Sequence, residues 1–428
     1  MSARQVEKGF LLLMNRLTRQ SSLRKPPPTT LTTAAFRATL PAALGVVEAA
    51  NVAEIIRPAG KHGMHVNDIA DNCIDPVDPR KLARILRFLA TNHWFKEVEP
   101  DVFSHNLLSS LLDTKKDPHG PLFKQTKHKD SSGLAAIIGF GGDEVIKSLS
   151  CLKDTMFDPA TSFSEEVQQS AYQRAVGTKL DKWAYYDSGG DLATYRRDRF
   201  AAAMSGANKL HPPQAVVTGF DWGKISYNGL IVDVGGGKGH VSLEIAKAYP
   251  GLNFVIEDRP LVVEDAESYW QTHLPSFVKD GKVKFIGVNF FEPQPRLHQA
   301  PDVFLLRQIT HDWSDKYCIK ILRNLRDIAS PTTMLVVIDS IMKYACNTSV
   351  KEKFVLDVKP PPPLLPNMGG ANILSYTVDN LIMSTINAGE RTLGGFISIF
   401  EASGWELVEI RKNTGSKIWW PSLICVPV

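Results

Sequence analysis

The sequence predicts an α/β fold: a doubly wound, mostly parallel sheet with an antiparallel last strand, preceded by a helical module that contains a winged helix. Two patterns lead to this prediction. From residue 230 onward, apolar runs of strand length alternate with helical segments, which is typical of βαβ units in a parallel sheet. Between residues 41 and 112, short helical segments end in a hairpin-like pair of runs, which is the order of elements in a winged helix.

Composition excludes several classes of protein. The chain has 428 residues, of which 43% are hydrophobic and 22% charged, so extensive disorder is excluded. The net charge of +4 comes from 49 basic and 45 acidic residues that are mixed along the chain, so we expect no nucleic-acid partner. The five cysteines lack paired spacing, which argues against a disulfide framework or a zinc site and favours a reducing compartment, with the cytoplasm as the expected location.

The N-terminal residues are expected to form an appendage. Residues 1–20 predict an amphipathic helix, whose apolar run is too short for a signal peptide. Residues 22–34 contain three consecutive prolines and predict a linker, because proline cannot continue a helix. No other stretch reaches the roughly 18 apolar residues of a membrane span, so we expect no membrane association.

Three domains follow from these patterns. They are residues 1–34 as the N-terminal helix and linker, residues 35–165 as the helical winged-helix domain, and residues 166–428 as the sheet domain. Residues 345–370 interrupt the sheet domain as a Pro-rich loop insertion.

The winged helix consists of three predicted helices and a hairpin. The helices lie around residues 42–56, after Val66 and over residues 79–92, and the predicted strands 94–98 and 102–104 flank a turn. Winged helices also bind DNA, and the third helix carries four basic residues: Arg80, Lys81, Arg84 and Arg87. Because many apolar positions surround them, we favour an interaction or packing role, and a DNA-binding regulator is the less favoured alternative.

Helices and then strands follow in order. Residues 131–215 are predicted to be helical and include aromatic residues around 183–186 and 195–204. The predicted parallel strands are residues 230–234, 253–256, 283–288, 303–306 and 334–338. Residues 405–411 and 419–426 form a hairpin-like ending, so the last strand is expected to insert antiparallel.

A glycine loop predicts a cofactor site. Residues 235–239 (GGGKG) follow the first strand and precede a predicted helix over 241–248, where glycines allow a sharp turn and close approach of a ligand. The loop lacks the third glycine of the dinucleotide motif, which argues against NAD. About 20 residues further on, Asp258 ends the second strand, where a carboxylate can accept hydrogen bonds from ribose hydroxyls.

A second group of residues indicates acid–base chemistry. His311 follows the strand 303–306, at the sheet edge where open α/β sheets bind ligands. Asp339 ends the next strand, and Glu390 lies further along the chain. A carboxylate on one imidazole nitrogen fixes the tautomer and leaves the other nitrogen to take a proton. Spacing does not decide whether these carboxylates meet His311, so an ordinary polar role for the histidine stays open.

Five collinear motifs resemble the S-adenosylmethionine-dependent O-methyltransferases of the caffeic acid and fungal polyketide type. The motifs are residues 230–239 (LIVDVGGGKG), 257–260 (EDRP), 311–315 (HDWSD), 337–342 (VIDSIM) and 388–392 (AGERT). The resemblance covers nearly the whole chain and is greater to the fungal secondary-metabolite branch than to the plant branch. It implies a Rossmann-like methyltransferase sheet, S-adenosyl-L-methionine as cofactor, and a winged helix that serves homodimerisation and not DNA binding.

The resemblance also assigns roles. His311 matches the general base, and Asp339 and Glu390 match the two acidic residues that flank it. The implied cofactor-binding residues are Asp233, Gly235, Gly237, Asp258, Asn289, Phe290 and Arg307. Within that set, the two glycines would line the methionine end, the aspartate Asp258 would hold the ribose, and Arg307 matches a basic residue near the cofactor.

Two residues depart from the family pattern. Asn289 stands where the family usually has Asp as an adenine contact, but Asn can still accept a hydrogen bond, so binding is expected to survive. Asp339 replaces the usual Glu and is one methylene shorter, which questions its contact with His311.

The implied reaction is methyl transfer to a hydroxyl of a small aromatic or polyketide-like metabolite. A histidine with a pKa of about 6.5 suits acceptance of a phenol proton at neutral pH, and no metal is expected. By family position the acceptor would contact Trp183, Phe200, Met204 and Trp313, although an ordinary core role is an equally weighted alternative. The runner-up function is a pericyclase or dehydratase that keeps the fold and the cofactor without transferring the methyl group.

Overall fold

The computed structural model describes residues 26–120, 123–210, 215–347, 354, 360, 364–412 and 420–428. These residues group into two compact units. The helical unit holds the described residues of Ser22–Ser164 and Gln168–Leu210, and the sheet unit holds those of Glu165–Val167 and His211–Val428. The helix predicted over residues 1–20 lies outside the described residues.

The division between the units differs from the boundary expected at 165/166. Residues 168–210 group with the helical unit, because helix Asp191–Lys209 packs closely on helix Leu134–Phe140. Gly133 and Gly206 allow this approach, since a Cβ on Gly206 would lie 2.8 Å from the Cα of Gly133. Within residues 165–210, only the short segment Glu165–Val167 belongs to the sheet unit.

The helical unit contains the residues predicted to form a winged helix. Its three-stranded antiparallel sheet has strands β1 (Met64–His65), β2 (Lys96–Glu99) and β3 (Val102–Ser104) in the order β1-β3-β2. The helices of this unit are Pro27–Ala35, Thr39–Ala49, Val52–Ile56, Val66–Asp71, Pro79–Thr91, Leu107–Ser110, Phe123–Thr126, Leu134–Phe140, Ile146–Ser150, Leu152–Phe157, Ala171–Val176, Lys182–Asp187 and Asp191–Lys209. The helix over Pro79–Thr91 begins at an Asp78 cap, and it buries Leu82, Leu86 and Leu89 in the core.

The linker predicted over residues 22–34 is wrong in its second half. A helix spans Pro27–Ala35, because prolines fit the first turn of a helix, where the backbone N–H groups need no partner inside the helix. Among the described residues, the helical stretch Pro27–Ala49 is long and apolar enough to cross a membrane by length and composition. Ala43, Leu44 and Val47 from its second half are buried in the core of the helical unit, and 17% of its apolar stretch is buried.

Two of the four basic residues on the third helix are engaged within the helical unit. Arg87 forms ion pairs with Glu97 at 2.9 Å and with Asp101 at 2.6 Å, both in the wing. Arg80 pairs with Asp78 at 3.2 Å. These contacts support the interpretation of this helix as a packing element.

The strands of the sheet unit are β4 (Leu230–Val234), β5 (Asn253–Asp258), β6 (Val283–Gly287), β7 (Val303–Arg307), β8 (Met334–Ile338), β9 (Ile341–Met342), β10 (Arg391–Thr392), β11 (Trp405–Arg411) and β12 (Ser422–Pro427). Seven of them form one sheet in the order β11-β12-β8-β7-β4-β5-β6. Strands β4 to β8 are parallel, and β12 pairs antiparallel with β8 and β11, so the predicted doubly wound sheet is confirmed. The short strands β9 and β10 form a separate parallel pair.

Helices cover both faces of this sheet. They are Ala215–Thr218, His240–Ala248, Pro260–His273, Pro275–Lys279, Asp315–Arg326, Ile373–Ile386 and Leu393–Ala402. Two apolar clusters result, one that includes Leu322 and Phe396 and another that includes Trp222 and Trp270. The central strands are mostly apolar because both of their faces are buried, and their carboxyl ends meet at one edge. That edge carries the candidate site.

Candidate active site

The glycine loop joins β4 to helix His240–Ala248 in a backbone conformation that requires glycine. Gly235 has a φ of +69°, and a Cβ there would lie 2.5 Å from the side chain of Ile309. Gly237 has a φ of +58°, and a Cβ there would meet nothing within 4 Å. The loop is therefore open on the side of Gly237, where a ligand can approach the backbone.

Two carboxylates lie against this loop. Asp258, at the end of β5, accepts hydrogen bonds from the backbone N–H groups of Gly237 and Arg259, each at 2.8 Å. Asp233 is buried in β4 and accepts a hydrogen bond from Ser242 at 2.6 Å. Burial raises the pKa of both carboxyls, to about 6 for Asp233. Asp258 thus lies beside the open part of the loop, whereas Asp233 lies beneath it.

The next loop, after β6, carries Asn289 and Phe290. The side chain of Asn289 accepts a hydrogen bond from the backbone N–H of Phe291 at 3.2 Å, which fixes its orientation. The ring of Phe290 lies 3.8 Å from the position of a Cβ on Gly235. Phe290 therefore lies near the glycine loop, and the cofactor role of both residues stays a prediction.

Arg307, at the end of β7, connects the loop to the acidic residues. Burial lowers its pKa to about 10, against the opposing influence of Asp339 and Asp233. Its guanidinium lies 5.3 Å from the centre of the Trp420 ring. A cation in this position compensates carboxylates of both the glycine loop and the neighbouring strand.

His311 and Glu390 form a hydrogen-bonded pair. His311 lies in the turn Thr310–Asp312 after β7, and Glu390 directly precedes β10. Nδ1 of His311 is 3.0 Å from Oε1 of Glu390, and Nε2 is 3.6 Å from a carboxylate oxygen of Asp312. The backbone N–H of Glu390 donates to Asp379 at 2.9 Å. The structure therefore brings together the histidine and one of its two predicted partners.

Asp339 has a different partner from the one implied by the family. Its Oδ2 accepts a hydrogen bond from the hydroxyl of Thr310, and its buried Oδ1 has no hydrogen-bond partner among the residues that the structure describes. Asp339 still acts on His311 through its charge. The short side chain of Asp339 explains the choice of partner. From the end of β8 it reaches Thr310, the residue before His311, and not the imidazole.

The carboxylates change the proton affinity of His311. Burial lowers the pKa of the imidazole. The negative charges of Asp312, Glu390 and Asp339 together outweigh this effect and raise the pKa to about 10. Burial also raises the pKa of Asp339 to about 6, and His311 opposes that shift. At neutral pH the free protein therefore holds an imidazolium, in contrast to the expected pKa of about 6.5.

The same three residues could hold a metal ion by geometry alone. His311, Asp339 and Glu390 each offer a ligand atom, and these atoms lie within 4.8 Å of one another. The guanidinium groups of Arg307 and Arg391 interact with Asp339 and add positive charge there, which disfavours a cation. Independence from metal stays a prediction.

The predicted acceptor residues divide between the units. Trp313 belongs to the sheet unit and packs 4.6 Å from Phe291 and 5.7 Å from Phe290, measured between ring centres. Trp183 and Phe200 belong to the helical unit and pack edge to face at 5.5 Å, and Lys182 lies 4.0 Å from the centre of the Phe200 ring. Met204 is 38% exposed and lies on the same helix as Phe200. The role of these residues toward an acceptor stays a prediction.

Sequence reasoning missed three residues that support the pair. Thr310 anchors Asp339, Asp379 holds the backbone of Glu390, and Arg391 is buried beside the turn that bears His311. Two of them adjoin predicted residues in the chain, so adjacency was the only available signal. The fold and the site together define an α/β enzyme with a cofactor loop and an acid–base pair at one edge of its sheet.

Comparisons with known proteins specify this class. The family profile of an O-methyltransferase domain matches residues 158–359. An O-methyltransferase from Armillaria gallica is 39% identical over 411 residues, which cover 94% of this chain and 85% of that protein. The 4-O-methyltransferase 1 from Phanerochaete chrysosporium is 37% identical over 384 residues, which cover 88% of this chain and 80% of that protein.

Solved structures share the fold. The mitomycin 7-O-methyltransferase MmcR has a TM-score of 0.68 at 20% identity, covering 97% of this chain and all of that one. A pericyclic reaction enzyme has a TM-score of 0.69 at 17% identity, covering 99% of this chain and 94% of that one. The chain belongs to the family of S-adenosylmethionine-dependent O-methyltransferases, which confirms the predicted enzyme class and cofactor.

Proposed function

We propose that this O-methyltransferase methylates a hydroxyl of an aromatic or polyketide-like metabolite and that His311 is its general base. One observation carries the proposal: Nδ1 of His311 is held by Glu390 at 3.0 Å, which leaves Nε2 for the acceptor hydroxyl. Glu390 orients the ring, and Asp339 acts by its charge. The relatives are fungal enzymes, and a phenolic acceptor is consistent with them.

The glycine loop and its neighbours would hold the cofactor. Gly237 offers an open backbone, Asp258 beside it would accept hydrogen bonds from ribose hydroxyls, and Asn289 and Phe290 on the next loop would contact the adenine. Asp233 supports the loop from beneath, and Arg307 balances its charge. The bound cofactor supplies an activated sulfonium methyl, so the protein has only to prepare and align the oxygen.

The raised pKa of His311 suits a phenol. A phenol has a pKa of about 10, and the carboxylates bring that of the imidazole to about 10 as well. Proton transfer between groups of equal pKa costs little free energy. Asp312, Glu390 and Asp339 thus make the neutral imidazole of His311 a stronger base than an ordinary histidine, and this neutral form becomes available as the pH rises.

A second candidate is a pericyclase or dehydratase on the same fold. The observation that favours it is also the raised pKa, because His311 is protonated at neutral pH and can act as an acid. Such a reaction would leave the cofactor intact. The two functions therefore differ in what happens to the methyl group.

The stoichiometry of the cofactor tests the choice. Incubation with methyl-labelled S-adenosylmethionine and a panel of phenols should give one S-adenosylhomocysteine and one labelled ether for each product molecule. Product formation with unconsumed cofactor would assign the enzyme to the second candidate. Extracts of the source organism extend the panel to the native acceptor.

Acceptor contacts belong to the same proposal. By family position, Trp183, Phe200, Met204 and Trp313 would contact the acceptor. Aromatic side chains favour offset or edge-to-face contact with an aromatic acceptor. Loss of affinity for a phenolic acceptor in Phe200→Ala and Met204→Ala variants, with cofactor binding retained, is the expected result.

Assembly as a homodimer is also proposed. Leu107, Phe157 and Phe163 of the helical unit are 80%, 81% and 94% exposed, so this unit offers apolar surface for a partner to cover. A second copy of the chain is the partner that the family resemblance implies. Light scattering at micromolar concentration should give twice the mass of 47.4 kDa.

A cytoplasmic location completes the proposal. All five cysteines are free thiols, among them the buried Cys318 and the exposed Cys346. Free thiols persist in a reducing compartment. Fractionation of cells that produce a tagged copy should recover the enzyme with the cytosol.

A further inference from the structure

The carbonyls around His311 find little hydrogen bonding within their own turn. Thr310–Asp312 is a single 3-10 turn, and Trp313 follows in an extended conformation. The carbonyl of Thr310 accepts one long hydrogen bond from the backbone N–H of Trp313 at 3.4 Å, and neither it nor the carbonyl of Trp313 is taken up by a longer helix. Gln308 precedes the turn with a φ of +53°, a left-handed conformation that costs free energy for a residue with a side chain. The turn is therefore held by its surroundings.

Arg391 supplies the donors. Its Nη1 donates to the carbonyl of Thr310 at 2.5 Å, and its Nη2 donates to the carbonyl of Trp313 at 2.6 Å. Its Nε donates to Asp315 at 2.7 Å, and only 7% of the side chain is exposed. The guanidinium thus binds the backbone on both sides of His311.

The thiol of Cys318 donates to the same two carbonyls, at 3.2 Å and 3.4 Å. A thiol is a weak donor, whereas hydrogen bonds from a guanidinium are charge-assisted and stronger. Arg391 is therefore the principal support of this backbone. Arg391 directly follows Glu390 in the chain. The carboxylate that contacts His311 and the guanidinium that binds its turn therefore belong to consecutive residues.

We infer that Arg391 is a positioning residue for His311, whose guanidinium fork holds the 310–313 backbone so that the imidazole meets Glu390. The inference rests on the proposed role of His311 as general base. A lysine cannot replace this residue, because an ammonium lacks the planar fork that reaches two carbonyls at once. Since Arg391 contacts backbone and Asp315, it acts on catalysis through the geometry of His311.

Chemical rescue tests the inference. Arg391→Ala should lower kcat by about 10²-fold, the usual effect of a small misplacement of a catalytic group, while the cofactor dissociation constant stays unchanged. Free guanidinium at millimolar concentration should restore part of kcat by occupying the vacated space. Transfer of labelled methyl to catechol and orcinol provides the assay, and Arg391→Lys should lie close to Arg391→Ala.

Arg326 offers a matched control within the same unit. It also donates to two backbone carbonyls, those of Gly404 and Val428, each at 3.0 Å, but it does not contact the His311 turn. Arg326→Ala should leave kcat unchanged and show no response to guanidinium. Equal loss of kcat in both variants, without rescue in either, would overturn the inference.

A second readout needs neither an acceptor nor a stable Arg391→Ala variant. The Nδ1 proton of His311, shared with Glu390, should give a downfield proton resonance that His311→Ala abolishes. That resonance should disappear in Arg391→Lys and persist in Arg326→Ala, and its persistence in Arg391→Lys would contradict the positioning role. If His311→Ala retains full methyl transfer, His311 is not the general base and the proposed function fails. If His311→Ala loses methyl transfer while both Arg391 variants keep full activity, only the positioning role of Arg391 is refuted.

Discussion

Nδ1 of His311 lies 3.0 Å from Oε1 of Glu390, although 79 residues separate them in the chain. The sheet brings them together in two steps. Strands β7 and β8 are parallel neighbours, so the turn that bears His311 lies beside the end of β8. Strand β9 follows β8 and pairs with β10, which begins directly after Glu390. The pair is thus a product of strand adjacency, and it underlies the predictions below.

The first prediction concerns His311→Ala. Removal of the base should lower methyl transfer by about 10²–10⁴-fold, the usual contribution of a positioned base, with little change in cofactor affinity. Calorimetry with S-adenosylhomocysteine and a labelled-methyl assay measure the two effects separately. His273→Ala, an exposed histidine stacked on Tyr269, is the matched control and should be neutral. Parallel loss of binding and turnover would show a structural role instead.

The second prediction concerns pH. The pKa of His311 is raised to about 10, so the base becomes available as pH rises and kcat/KM should increase through that range. Glu390→Gln removes one of the anions that raise this pKa, so the rising limb should move to lower pH while the maximal rate falls. Profiles of both enzymes with one acceptor isolate the shift, because the pKa of the acceptor is common to them. Superimposable limbs would exclude His311 as the titrating group.

The third prediction concerns the cofactor. Asp258→Ala removes a carboxylate that lies beside the open glycine loop and should weaken binding of S-adenosylmethionine by about 1.5–3 kcal/mol, or roughly 10–150-fold. Asp265→Ala is the control. This exposed residue carries the same charge as Asp258 and lies 3.9 Å from Lys238 of the glycine loop. Calorimetry that finds equal affinities in the two variants would remove Asp258 from the cofactor site.

The parallel strands β4 to β8 were predictable because each is a mostly apolar run of five or six residues. All five residues of β4 are buried, and such a run has few alternatives once a glycine loop and a helix follow it. The helix over Pro27–Ala35 was not predictable as such, since its prolines fit a helix start as well as a linker. The helix over Asp191–Lys209 was predictable, but the sequence does not say which unit it packs against, because the close contact of Gly133 with Gly206 is long-range.

The site was predictable in its composition and not in its contacts. His311 and Glu390 were expected as a pair from the family resemblance, and the structure joins them. Asp339 turns instead to Thr310, and the interaction of Arg391 with the His311 turn had no signal in the sequence beyond its adjacency to Glu390. Such contacts depend on side-chain length and on the register of short strands such as β9 and β10. Spacing along the chain does not encode either.

The fourth prediction concerns metal ions. His311, Asp339 and Glu390 lie close enough to share an ion, but nearby guanidinium groups oppose a cation. Dialysis against a chelator should therefore leave methyl transfer unchanged, and metal analysis of the purified protein should find less than one equivalent. Loss of activity on chelation, restored by one divalent cation, would assign a metal to these residues.

The fifth prediction separates the two acidic neighbours of His311. Asp339 holds Thr310 and reaches the imidazole only by its charge, so Asp339→Asn should keep the turn in place and lower the pKa of His311. The pH profile should shift to lower pH, as in Glu390→Gln, but with a smaller loss of maximal rate, because the hydrogen bond from His311 to Glu390 is retained. Thr310→Val is the matched variant, since it removes the hydroxyl contact and keeps the charge, so it should leave the limb in place. A larger rate loss in Asp339→Asn than in Glu390→Gln would mean that Asp339, and not Glu390, orients the base.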